Sequence, residues 1–252
     1  MHVGAVLRRT RCFVGDVDQA ADALIDRALD GRGGYACLAN VHVVVMASRD
    51  AAVLRALEDA WMVYPDGAPV AWLARRLGHD AASRIPGPDL MPAVLGRGRV
   101  AGLRHFLFGS SESGLRALEQ QIADRFPGAN VVGTCAPPFG EIDGSHLAVI
   151  AAAEPHVVWC GLGAPKQELW MARYAHEAAP AVFAGVGAAF DFLAGSKERA
   201  PSWAQEYGLE WLHRFWSEPR RLGPRYLATN TRFVLDVGRG FVQGEHEDPS
   251  RP

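Results

Sequence analysis

Between about residues 34 and 190, short apolar stretches rich in β-branched residues alternate with longer segments of helical period. A strand covered on both faces reads as a continuous apolar run, and the helix crossing back over it reads as an amphipathic one. The alternation therefore requires a parallel sheet with crossover helices. Strands are expected at 35–39, 61–64, 105–109, 130–134, 156–161 and 181–185, with helices at 41–59, 68–77, 112–125, 143–153 and 165–178. Asn40, Ser110 and Asp143 open periodic runs and are expected N-caps. An earlier strand near residues 3–7 and a helix at about 18–29 would extend the sheet at one edge. The expected fold is α/β: a Rossmann-like, mostly parallel sheet with helices on both faces.

The 252 residues are 49% hydrophobic and 21% charged, which suits a globular chain with a sizeable core and excludes disordered, collagen-like and coiled-coil classes. Lys and Arg number 26 against 28 Asp and Glu, a formal charge of −2, so the whole molecule gives no case for nucleic-acid binding. Cys12, Cys37, Cys135 and Cys160 lie far apart without a Cys-x-x-Cys pair, pointing to neither a zinc site nor a disulfide framework, and to a reducing compartment. The N-terminus does not read as a secretory signal, because Arg8 interrupts it early. No run reaches the roughly 20 apolar residues of a spanning helix.

The composition changes at Arg199. From 199 to 242 there are seven arginines, no lysine and four acids, so this stretch is basic within an acidic chain. An α/β domain over 1–198 and a helical, aromatic-rich appendage over 199–252 are expected. Trp203, Tyr207, Trp211 and Phe215 recur every fourth residue and form one stripe on a helix, while Arg225, Arg232 and Arg239 recur every seventh. Such a segment suits an anionic membrane surface or a lipid diphosphate; equally, its aromatics can pack on the sheet domain with the arginines solvated.

The stretch 161–170, GLGAPKQELW, follows an expected strand and opens an expected helix. Gly161 and Gly163 let backbone approach a ligand, the helix N-terminus favours an anion, and Lys166 adds a charge, so a diphosphate would be well held. Lys166 stands where the dinucleotide fingerprint has its third glycine, so this is not that motif, nor a Walker sequence. Gln167 and Glu168 can hydrogen-bond sugar or nucleotide hydroxyls. A second glycine turn, 185–195, carries Gly187 and puts Asp191 on the same carboxyl edge, where open α/β sheets bind ligands.

YPDGAPV, 64–70, is the second constellation. Pro-Asp-Gly signals a tight turn with Asp66 bonded to its own backbone; if Asp66 instead points into the cleft, its carboxylate can act as general base. In RIPGPDL, 84–90, Arg84 is a bidentate partner for phosphate, and Asp89 reads as a helix cap. Asp16 and Asp18 match an Asp-x-Asp metal pattern but precede an amphipathic helix, so capping is the better reading and no metal is expected. His42 would lie near the cleft, as a structural residue.

Taken together, Asn40, PDG at 65–67, RIPGPDL at 84–90, FGSS at 108–111 with Gly109, GLGAPKQELW at 161–170, GVGAAFDFLAG at 185–195 and the 199–227 segment resemble the WecG/TagA/CpsF family of bacterial glycosyltransferases over nearly the whole chain. The resemblance implies inverting, metal-independent transfer of N-acetylmannosamine or a related hexose from a UDP-sugar to a polyprenyl-diphosphate-linked sugar. It needs no cofactor beyond that donor and serves cell-surface polysaccharide or teichoic acid synthesis. It further implies Asp66 as general base, Gln167 and Asp191 at the donor, and Arg84 in the active site. The basic segment would dock on the cytoplasmic face of the membrane and add Arg214, Arg221 and Arg225. Self-association into a homodimer would hide its apolar surface in solution. Family members often carry Thr two residues before the asparagine matched by Asn40; here Leu38 stands there and removes a polar contact.

Two other classes fit the architecture. A nicotinamide-dependent oxidoreductase lacks support, since the dinucleotide fingerprint and a Tyr-x-x-x-Lys pair are both missing. A non-catalytic, membrane-associated UDP-sugar-binding module would bind donor without turning it over.

Overall fold

The computed structural model describes residues 1–138, 140, 142–201, 204 and 229–239. The strands β1 (Gly34–Ala39), β2 (Met62–Pro65), β3 (Arg104–Gly109), β4 (Asn130–Cys135), β5 (Val157–Gly161) and β6 (Val182–Gly185) form one sheet in the order β2-β1-β6-β5-β3-β4, parallel at every pairing. Side chains alternate across a strand, so each strand feeds two cores. Tyr35, Cys37 and Ala39 of β1 join Val158 and Cys160 of β5 in one cluster. Ala36 and Leu38 join Val157 and Trp159 in the other.

Helices α1 (Val3–Arg8), α3 (Val41–Ala47), α4 (Ala51–Glu58), α5 (Ala68–Arg76), α8 (Leu147–Ala152) and α9 (Lys166–Tyr174) cover the first face with residues such as Val43, Leu57, Val70 and Met171. Helices α2 (Val17–Leu29), α6 (Gly87–Arg97), α7 (Glu112–Arg125) and α10 (Ala189–Leu193) cover the second with Leu24, Leu90, Leu118 and Phe190. Each large apolar side chain fully buried this way stabilises the fold by about 1.5–3 kcal/mol, so neither layer is dispensable. Residues 229–239 are helical, and their Phe233 and Val237 pack on the first cluster. No helix among the described residues is long and apolar enough to cross a membrane.

Several expectations change. Residues 3–7 belong to α1, not to a strand: Val3, Val6 and Leu7 are fully buried at helical spacing, and His2 Nδ1 accepts from the Ala5 amide at 3.3 Å. The single helix expected over 41–59 is two, because Asp50 Oδ1 accepts from the Ala52 amide at 2.8 Å and starts α4 afresh. Ser111, not Ser110, caps α7, accepting from the Gly114 amide at 3.1 Å, while Ser110 takes a left-handed φ of 60°. Asp16 caps α2 in a reciprocal box with Gln19, as expected. The aromatic stripe of 203–215 lies outside the described residues.

Candidate active site

In a parallel α/β sheet the helix after each strand starts at the strand's carboxyl end, so helix N-termini converge there. A cleft of about 710 Å³ opens on that edge, lined by residues following β1, β2, β3, β5 and β6 together with residues 229, 230, 233 and 234.

One wall carries the carboxylate. The Asp66 amide donates to the Ala39 carbonyl at 3.0 Å, which holds the exit of β2 against the exit of β1. Gly67, with φ of 117°, then turns the chain into α5, a conformation that disfavours any side chain. Asn40 caps α3 with its Oδ1, accepting from the His42 and Val43 amides at 3.1 and 3.2 Å, which leaves Nδ2 to donate to Asp66 Oδ2 at 3.5 Å. Asp66 thus faces the cleft, oriented by Asn40. The Ile85 amide donates to the Pro65 carbonyl at 2.8 Å and brings Arg84 to the same wall.

The opposite wall is the pair of glycine turns. Gly161 packs flat on Phe190, where an added Cβ would stand 2.6 Å from the ring. Gln167, 3% exposed, ties the turns together: its Oε1 accepts from the Gly163 amide at 3.2 Å and its Nε2 donates to the Gly185 carbonyl at 3.0 Å. With the Gly163 and Gln167 amides engaged with each other's residue and Pro165 without an N–H, the cleft meets a ligand with the positive end of the α9 dipole, a setting for an anion. Asp191 lines the cleft and pairs with Lys197 at 2.7 Å.

Asn40, Asp66, Arg84, Gly161, Gly163, Gln167, Gly187 and Asp191 come together as expected from the sequence. Three others do not line the cleft. Lys166 turns its ammonium to the Gly140 carbonyl. Glu168 is fully buried beneath Gln167, accepting from its Nε2 at 2.9 Å, and its charge adds to burial in raising the Cys37 and Cys160 thiols far above their usual range. Gly109 serves backbone packing: an added Cβ would lie 2.6 Å from the Gly161 carbonyl carbon. Arg214, Arg221 and Arg225 fall outside the described residues.

Sequence reasoning passed over Thr229 and Asn230, read Ser110 as an N-cap and Leu38 as the loss of a polar contact, and gave His42 only a structural part; all line the cleft. The FGSS stretch was a signal for Ser110, and the Leu38 departure marked that position. Nothing in the sequence pattern marks 229 and 230.

A model of the glycosyl transferase WecG/TagA/CpsF family matches residues 7–246. Among curated relatives, the N-acetylglucosaminyldiphosphoundecaprenol N-acetyl-beta-D-mannosaminyltransferase of Bacillus spizizenii is 27% identical over 225 residues, 87% of each chain. The protein of that name from Bacillus subtilis is 29% identical over 204 residues, 78% of each chain. The one from Staphylococcus aureus is 29% identical over 188 residues, 73% of this chain and 72% of its own. With nearly its whole length matched and the motif residues gathered in one cleft, the chain belongs to the WecG/TagA/CpsF family of glycosyltransferases.

Proposed function

We propose that this enzyme transfers N-acetylmannosamine or a related hexose from a UDP-sugar to a sugar carried on polyprenyl diphosphate, inverting the anomeric centre. The observation that carries this reading is Asp66: its carboxylate, held by Asn40, looks across one cleft at two glycine turns. Asp66 takes the proton from an acceptor hydroxyl, the oxygen attacks the anomeric carbon, and the bond to UDP breaks with the electron pair leaving on the diphosphate. Charge growing on the diphosphate is met by the positive end of the α9 dipole, by Arg84 and by arginines of the C-terminal segment, without a cation. That segment seats the enzyme on the anionic cytoplasmic face of the membrane; in solution a dimer covers its apolar surface. The relatives' printed name supports the lipid-linked N-acetylglucosamine acceptor.

The test incubates purified protein and a short-chain polyprenyl-diphosphate sugar with a panel of UDP-sugars and weighs the lipid product. Asp66→Asn is expected to lower turnover by about 10²–10⁴ while UDP affinity stays within a few-fold. Full activity in that variant would return Asp66 to the status of a turn residue.

A further inference from the structure

Gln167 sits at the joint of the two glycine turns, and its neighbours allow its amide one orientation. The Gly163 N–H must meet an oxygen and the Gly185 carbonyl must meet an N–H, so Oε1 lies towards Gly163 at 3.2 Å and Nε2 towards Gly185 at 3.0 Å. Glu168 completes the arrangement from beneath: fully buried, it accepts from the same Nε2 on its Oε1 at 2.9 Å. The second turn leaves room for this, since a Cβ added at Gly185 would stand 3.0 Å from Nε2. One added at Gly187 would be 3.6 Å from Oε1.

A primary amide has two hydrogens to donate and two lone pairs to accept with. Gly185 and Glu168 engage both hydrogens of Nε2, whereas among the described residues Oε1 accepts once, from Gly163. Nε2 is directed at buried Glu168, while Oε1 lies between Gly163 and Gly187, both of which line the cleft. What Gln167 offers a ligand is therefore an acceptor. Ionised diphosphate oxygens only accept, so they gain nothing from it; an O–H or N–H does. Resting on the glycosyl-transfer reading above, we propose that Glu168 is a positioning residue that fixes Gln167 as an acceptor, through which the enzyme selects a hydrogen-bond donor on the uracil or the sugar of its UDP-sugar. Without the Glu168 carboxylate one N–H of Gln167 is released and the acceptor loses its aim. The cleft thus divides two tasks: Arg84 and the α9 dipole meet charge, and Gln167 recognises a neutral O–H or N–H.

The test measures, by calorimetry on the full chain, affinity for the parent UDP-sugar and for analogues that each lack one donor. One carries N3-methyluracil; the others have a single sugar hydroxyl replaced by fluorine or the N-acetyl nitrogen methylated. The wild type is expected to bind one analogue about three- to tenfold more weakly, the worth of one neutral hydrogen bond. A loss on the base analogue assigns the donor to uracil, and a loss on a sugar analogue assigns it to the sugar. Glu168→Leu is expected to bring that parent-to-analogue ratio close to one, and to raise the KM for the parent donor with kcat within about twofold. Glu168→Gln, which keeps a carbonyl for Gln167 Nε2, should preserve the ratio. Loss of folded protein does not move the ratio, because both ligands meet the same sample. Should Glu168→Leu fail to fold, Gln167→Met in the same panel is expected to bring the ratio close to one. A ratio unchanged in these variants, or a wild type indifferent to every analogue, overturns the proposal. Selective binding with no transfer to a lipid acceptor sinks the transfer reading alone; transfer with unselective binding sinks this proposal alone.

Discussion

His105 is fully buried in β3, stacked beside Trp159, whose indole Nε1 donates to its Nδ1 at 3.3 Å. Burial, reinforced by the charge of His156, pushes its pKa down to about 4. Unfolded, the ring regains a value near 6.5 and takes up a proton that the folded ring refuses. Stability from this residue is therefore complete above about pH 6.5 and is lost as pH falls toward 4, at a cost of roughly 3 kcal/mol. Denaturant midpoints measured between pH 7 and 4.5 should fall accordingly, and His105→Gln, which keeps an acceptor for Trp159 but does not titrate, should flatten the slope. An unchanged slope assigns the acid sensitivity to other groups. The same scale shows what was legible in the candidate site. Asp66 was readable because Pro-Asp-Gly sits at a strand end, yet the choice between turn and cleft needed its place in the cleft lining, beside Asn40 Nδ2 at 3.5 Å. Lys166 misled: one position before the inward-facing Gln167, it faces the Gly140 carbonyl, a helical rotation that charge and spacing alone do not resolve.

At the scale of elements, strands were the easiest to read, because burial on both faces makes them uninterrupted apolar runs between turn residues. Residues 3–7 failed for the same reason, since a short apolar run fits a buried strand or one buried helical turn equally. Helix α6 was passed over beyond its start because Gly87, Pro88 and Pro92 contradict helical propensity, and packing of Leu90, Met91, Val94 and Leu95 overrides it. Helix α10 hid among glycines. The split of 41–59 turns on Asp50, whose Oδ1 receives the Ala52 and Val53 amides at 2.8 and 3.4 Å. Asp50→Ala should destabilise the protein by about 1 kcal/mol, the usual loss for an N-cap, seen as a lower midpoint with unchanged m-value. A neutral result would mean that packing of Val53, Leu54 and Leu57 alone sets the start of α4.

For the whole molecule, the parallel architecture followed from the alternation of patterns, whereas the strand order did not, because it depends on which crossovers travel left or right of β1. The C-terminal segment is where sequence and structure bear on each other most. Among the described residues, the buried members of both hydrophobic clusters lie within residues 3–193 except for Phe233, 5% exposed, with Val237 beside it. A chain ending at residue 198 should therefore keep its sheet, unfold cooperatively and still gain thermal stability from UDP. Val234 and Leu235 of the helix at 229–239 are 67% and 51% exposed, and the segment they belong to carries a cluster of arginines, a combination suited to an anionic lipid surface. Each basic residue near such a surface contributes about 1 kcal/mol, falling off within a Debye length, so the attraction should weaken steeply with salt. Full-length protein is expected to pellet with anionic vesicles at low ionic strength and to be released at high salt. The truncated chain should stay in the supernatant and turn over no donor, because it lacks the segment's arginines. A truncation that retained full activity would move the diphosphate's countercharge back to Arg84 and the helix termini alone.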